Sequence, residues 1–446
     1  MKLPIKHIIR GLSILVLFLF LLSYYSYLIY NAAIEGKESG FVAHHLTNFA
    51  NYPRLVKEVL TSNELSGIPP TYIELDSSFH ETNHLNYDLF ALNSFWNMHT
   101  NAWDIKLFNL KNDSLEYKWT LAKQGLDFTT TDYNFPNAMP RNCIVFPDRS
   151  IIVSTDEAAN LMRLDAHSQP IWINHQFIYH HSLNLDADSN IWACTSDLNH
   201  KGQMPVKAIR NINGTTYRYK EEYITKVDKN TGKVLFRKGV AELLTDNHYS
   251  NFVYGFSDPD KNAHNPIHLN DIQPVLKDGK YWKKGDLFLS LRHRSLIILY
   301  RPSTNKIIRL IFGEFINQHD VDIISDTEIS IFNNNFIHFE RDSVSSYCIK
   351  VDTLASSEIV TYDFQDSSFK KMYAPYLKQE HIWTETQGIH KILENGDTFI
   401  ESQNQGKIFI INDSGVVMRK MLHAPLEHYA YHPNWIRIYE KLPYKK

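Results

Sequence analysis

Disulfide chemistry has little to work with in this chain, whose 446 residues include three cysteines, Cys143, Cys194 and Cys348. Three scattered thiols are too few for a disulfide framework or a cysteine-based zinc site, and no bridge is required. An excess of charge is missing too. Forty-six basic and 49 acidic residues leave a net charge of −3 without a basic run, which argues against nucleic acid as a partner. Only one long apolar run exists, and long amphipathic helical patterns are scarce after it. What the chain has in quantity is aromatic residues, at 13%, and 22 histidines. Its length is enough for one large core or for two or three ordinary domains.

The apolar run is "GLSILVLFLFLLSYYSYLIY", residues 11 to 30, which is free of charge and follows Lys2, Lys6 and Arg10. Such a run in a helix is expected to cross a bilayer core of roughly 30 Å. Tyr24, Tyr25, Tyr27 and Tyr30 suit the far interface, and the basic residues place the N-terminus in the cytoplasm. The expectation is a short cytoplasmic segment over 1–10, a transmembrane signal anchor over 11–30 and a linker with short helices over 31–70. The domain over 71–446 then lies outside the cytoplasm, in the periplasm if the source is bacterial. A cleaved signal peptide ending near "YNAAIEG" is the rival reading, and it gives the same location.

From about residue 70 the chain reads as short alternating strands separated by turn residues. A repeat emerges when the turns are aligned. "FNLKNDSLEYKW" starts at 108, "LDAHSQPIWIN" at 164, "VDKNTGKVLFRKG" at 227, "YRPSTNKIIRLIFG" at 300, "YDFQDSSFKKMY" at 362 and "INDSGVVMRKM" at 411. Each is a strand end, a polar turn and a returning strand. Five partner segments, among them "LNLDADSNIWACT" and "DIISDTEISIF", look like inner hairpins. Six outer hairpins predict an all-β, six-bladed β-propeller; a pair of β-sandwiches is the alternative. Arg141, His181, His319 and Gly388 each stand seven residues before a turn residue, so they are expected to converge on one axial pocket.

His268 starts another inner strand, and Arg292 ends the next in "SLRHRS". Three histidines and an arginine, without a ring of carboxylates, suit an anionic tetrahedral group. Two-carboxylate glycoside hydrolysis does not fit this set. Three histidines also suit a catalytic zinc, although Arg292 opposes a cation there unless an anionic substrate accompanies it.

The segments "HHSLNLDADSNIWA", "HLNDI…GDLFLSLRH", "GEFINQHDVDIISDTEISIFNNN" and "TQGIHKILENGDTFIES" keep the order of motifs found in the bacterial arylsulfotransferase family, which the chain resembles. The resemblance covers roughly residues 140 to 415. It implies transfer of a sulfuryl group from a phenolic sulfate ester to a phenol through a sulfo-histidine, without a nucleotide donor, cofactor or metal. By motif, His319 is the nucleophile, and His181, His268 and Arg292 surround the sulfuryl and phenolic oxygens. Asn270 is expected to orient His268, Asp320 to orient a neighbour, and Gln387 to shape the pocket wall; all three are candidate substrate-binding residues. The chain departs from the family pattern at Ser182, where an acid is usual, and at Phe332-Asn333-Asn334-Asn335, where the pattern is F-D-N-G. Two rival functions stand beside this one: a non-catalytic propeller that binds a sulfated or anionic ligand, and a metal-dependent hydrolase or lyase on the same funnel.

Overall fold

The computed structural model describes residues 5–33, 68–69, 71–128, 135, 137–198, 207–212, 215–255, 265–336 and 356–445. The chain divides into two units, residues 1–70 and 71–446. In the first, a helix runs over Ile5–Ala33. Among the described residues no helix is long and apolar enough to cross a membrane. The membrane span expected over 11–30 is therefore not supported. The short helices expected between residues 34 and 62 lie outside the described residues.

Among its described residues the second unit holds six antiparallel sheets of four or five strands in sequence order around one axis, besides two small two-stranded ones, and the expected six-bladed β-propeller is the fold. Each outer hairpin read from the turns is present, for example Glu222–Val227 with Val234–Gly239 and Glu358–Asp363 with Ser368–Met372. Several of the hairpin turns close because an Asp side chain accepts backbone N–H groups two to four residues on, which stands in for a backbone turn. Asp186 Oδ1 takes the N–H groups of Asp188 and Asn190, both at 2.9 Å. Asp228 Oδ1 takes those of Asn230 and Thr231 at 3.0 and 2.7 Å. Short β-rich strands flank these turns, and their side chains fill the gaps between neighbouring blades. Ile224, Leu269, Leu289 and Ile298 pack together between blades 3 and 4, while Phe288, Val321, Ile329 and Ile331 pack between blades 4 and 5.

Both chain ends close the ring. The innermost strand of blade 1 is the C-terminal Arg437–Tyr439, paired with Phe90–Asn97. Blade 6 gains an outermost strand, Thr82–Asn83, from before blade 1. A row of buried side-chain acceptors fixes the inner strands of blades 4, 5 and 6, and the segment that closes blade 1, to the blade before each. Glu222 accepts the N–H of Leu269, Asp271 that of Val321 at 2.9 Å, and Asp320 that of His390 at 2.7 Å. Glu401 accepts two, from Trp435 at 3.1 Å and Ile436 at 2.7 Å. Ser182 keeps an acceptor in this row, taking the N–H of Ile272 at 3.1 Å.

Candidate active site

The inner strands begin irregularly, and that irregularity builds the site. Register shifts interrupt pairing after Arg141, His180, Leu269 and His319. Such bulges re-aim side chains at the rim of a sheet. Asn142, His181, His268, Asp320, Gln387 and Trp435 have φ between 44° and 65°, a region that Asn, Asp and His enter more readily than other side chains. The result is a histidine cluster on the axis. The ring of His181 lies 5.2 Å from that of His268 and stacks 5.9 Å from that of His319. Trp435 stands edge-on to both His181 and His319, at 5.9 and 6.4 Å.

His319 is 1% exposed and tightly held. Asn334 donates its amide N–H groups to two carbonyls, Thr384 at 2.9 Å and Gln387 at 2.7 Å. Its oxygen therefore faces His319 Nδ1 at 2.7 Å, and this network assigns the ring proton to Nδ1. The lone pair is left on Nε2, where the Gln387 N–H makes a long contact of 3.3 Å. Gln387 is fixed in turn by Trp435 Nε1 at 2.6 Å and by Arg141 at 3.0 Å, and Arg141 also pairs with Asp156 at 3.0 Å.

Electrostatics keep the cluster neutral. Burial, aided by the Arg292 charge, pushes His319 down to about 3. Burial also holds His181 and His268 well below the ordinary imidazole range, and takes His180 and His293 to about 4. At neutral pH these rings are uncharged hydrogen-bonding groups with one N–H each, and Arg292 remains a cation. Arg292 sits on the turn after Leu287–Leu291, and its guanidinium contacts His293 Nε2 at 3.1 Å and the Glu385 carbonyl at 3.4 Å.

The structure thus gathers His181, His268 and His319 in one place, with the Arg292 charge acting on His268 and His319 and that of Arg141 on His181, and Gln387 lies against His319. Asn270 bonds another partner than expected, whereas Asp320 does orient a neighbour, His390. The bulge at Asn270 turns its amide to the Gln318 carbonyl at 2.7 Å, so it does not orient His268; Asn265 does, at 3.0 Å. Asp320 bonds the backbone and ring of His390, at 2.7 and 2.8 Å. Asn334, Trp435 and Asn265 were not anticipated. Asn334 was hidden in what reads as a polar strand stop, and Trp435 arrives from the C-terminal closing segment. The departure at Asn333 is accommodated, since its oxygen takes the N–H groups of Ile316 and Asn335, at 2.8 and 3.0 Å. Two groups among the described residues could hold a metal, Glu157–His180–His181 and Asp320–Asp322–His390. In the first, His180 and His181 face each other through Nδ1 at 2.9 Å, and Lys220 stands 3.9 Å from Glu157.

The arylsulfotransferase (ASST) family model matches residues 142–422, well over half of the chain and four of the six inner strands. The chain belongs to the arylsulfotransferase family. Within this arylsulfotransferase fold, Trp435 and the closing strand lie beyond the matched stretch. Comparison with curated proteins finds no match. Among solved structures, the arylsulfotransferase chain is similar to a protein of unknown function from Bacteroides caccae, with 11% identity and a TM-score of 0.43 over 77% of this chain and 97% of that one. It is also similar to virginiamycin B lyase from Staphylococcus aureus, with 11% identity and a TM-score of 0.34 over 65% and 71%. Kuenenia stuttgartiensis hydrazine synthase gives 9% identity and a TM-score of 0.40 over 77% and 80%. None of these likenesses bears on activity.

Proposed function

We propose that this arylsulfotransferase moves a sulfuryl group from an aryl sulfate to a phenol through His319. The observation that carries the reading is the pinned tautomer of His319, a neutral ring with its lone pair on Nε2 beside Arg292. In the first half-reaction Nε2 forms the bond to sulfur, and the bond between sulfur and the phenolic oxygen breaks. The electron pair leaves with the phenolate. Arg292 and the N–H groups of His181 and His268 stabilise charge on the sulfuryl oxygens and the departing oxygen. Asn334 cannot accept the Nδ1 proton, so the sulfated ring remains an imidazolium and a good leaving group. In the second half-reaction the oxygen of the acceptor phenol attacks sulfur, its proton balances the phenolate released in the first, and the electron pair returns to Nε2.

Incubation with 4-nitrophenyl sulfate, with and without a phenol, tests the reading. Release of nitrophenol that depends on the acceptor, with stoichiometric aryl sulfate as product, supports transfer. Binding without turnover, or release that requires zinc, overturns it. We further infer that the domain works outside the cytoplasm, on the strength of Lys2, Lys6 and Arg10 ahead of the uncharged run. Protease added outside intact cells is expected to cleave beyond residue 31; protection until the membrane is permeabilised contradicts that placement.

A further inference from the structure

We propose that Asn265 is a positioning residue that sets the polarity of the donor half of the site, holding His268 as a hydrogen-bond donor and aiming Arg292 through His293. The proposal rests on the sulfuryl-transfer reading for its catalytic consequence, though its geometry stands alone. Asn265 precedes His268 by three residues, and its amide orientation is unambiguous. Its oxygen accepts the backbone N–H of His268 at 3.2 Å, so its NH2 group faces His268 Nδ1 at 3.0 Å. A ring nitrogen that accepts from an amide carries no proton, so the proton of neutral His268 sits on Nε2. His268 then presents Nε2–H as a donor, the opposite tautomer to His319.

The backbone of the same residue does a second task. The Asn265 carbonyl takes a bond from His293 Nδ1 at 2.7 Å, which fixes that ring with its proton on Nδ1. His293 Nε2 is thereby an acceptor, and Arg292 Nη1 meets it at 3.1 Å. The rings of His268 and His293 lie 4.4 Å apart and tilted by 34°, so both are held as one packed unit. Arg292 and His293 are also tied by backbone bonds to His268 and Ile267, at 3.0 and 3.3 Å. One asparagine therefore governs both a neutral donor and the direction of the cation. Arg292 Nε is buried without a partner, so the guanidinium is oriented by the His293 contact at 3.1 Å together with the longer one to the Glu385 carbonyl at 3.4 Å.

Two variants of the full chain and one spectrum test this. In long-range proton–nitrogen spectra of histidine-labelled parent protein, His268 is expected to be protonated on Nε2 and bare on Nδ1. Asn265→Ala is expected to slow transfer from phenyl sulfate at least ~10-fold more than transfer from 4-nitrophenyl sulfate, because a lost donor matters more to a more basic leaving phenolate. Asn265→Asp is expected to draw the proton to Nδ1 and raise the His268 pKa. The groups whose charge His268 feels are His293, Arg292, Lys220 and His319; the rings of His181 and His293 pack against it. Above that new pKa the remaining proton faces the carboxylate and the donor is lost, so the rate should fall as pH rises, a limb absent from the parent. A parent His268 protonated on Nδ1, or an Asn265→Ala loss equal for both donors, overturns the proposal. A parent that transfers from neither donor overturns the sulfuryl-transfer reading instead, and the spectrum still decides the role of Asn265.

Discussion

At the scale of single residues, the protein separates two jobs that one imidazole cannot perform together. A nucleophile needs a bare nitrogen, and charge stabilisation needs a proton or a cation. Asn334 gives the first condition to His319, and Arg292 meets the second. Replacing Arg292 by Lys keeps the charge and loses the planar fork, so turnover is expected to fall by ~10²-fold, the scale of one oxyanion donor. Steady-state rates with 4-nitrophenyl sulfate measure this. The pH dependence follows from the His319 shift. Protonation removes the lone pair, and with the pKa pushed down to about 3 the parent rate should stay flat as pH falls through 6.5. Asn334→Asp places a carboxylate against Nδ1, which stabilises the imidazolium and raises that pKa. Its acid limb is therefore expected to move up towards neutrality. An unmoved limb, measured as kcat/KM against pH, contradicts the assigned pairing.

Among the elements, the buried acceptors between inner strands decide whether the histidines meet. Glu401 takes two backbone N–H groups from the closing segment, and burial raises its pKa to about 7. Glu401→Leu leaves both donors buried without partners, a cost of about 1–3 kcal/mol each. Urea unfolding is expected to shift accordingly, and transfer should fall with it, because Trp435 and Gln387 lose their anchor. The neighbouring Gly388 has a φ of +91°, and a Cβ there would lie 2.5 Å from the Phe332 ring. That close approach is what brings the Gln387 N–H to His319. The hairpins were legible because Asp186, in an inner one, and Asp228, in an outer one, make turn chemistry that is local in sequence. The bulges were not legible, since the shifts at Asn270 and Asp320 depend on strands in other blades. For this reason Asn270 read as a partner of His268 and proved to be a partner of Gln318.

At the largest scale, the second unit is a ring that closes only when both ends of the repeat arrive. The missing sixth inner strand in the sequence is Arg437–Tyr439, separated from its partner Phe90–Asn97 by all the other blades, and no local pattern announces such a pairing. Arg437 also bonds the Asn142 side chain and the Cys143 carbonyl, the latter at 2.9 Å, so closure supports the first bulge of the site. Removing the residues after Tyr431 exposes the buried edge of Phe90–Asn97 and deletes Trp435. Such a chain is expected to lose cooperative thermal unfolding and all transfer; calorimetry showing a parent-like transition contradicts the closure.

The most direct test of the account is to trap the sulfated enzyme. Protein mixed with radiolabelled 4-nitrophenyl sulfate in the absence of acceptor is digested, and the labelled peptide is sequenced. The account predicts one label on the peptide that carries His319, stable in alkali, labile in acid and discharged to added phenol, and no label on His319→Ala. Label on another residue, or transfer by His319→Ala at the parent rate, contradicts it.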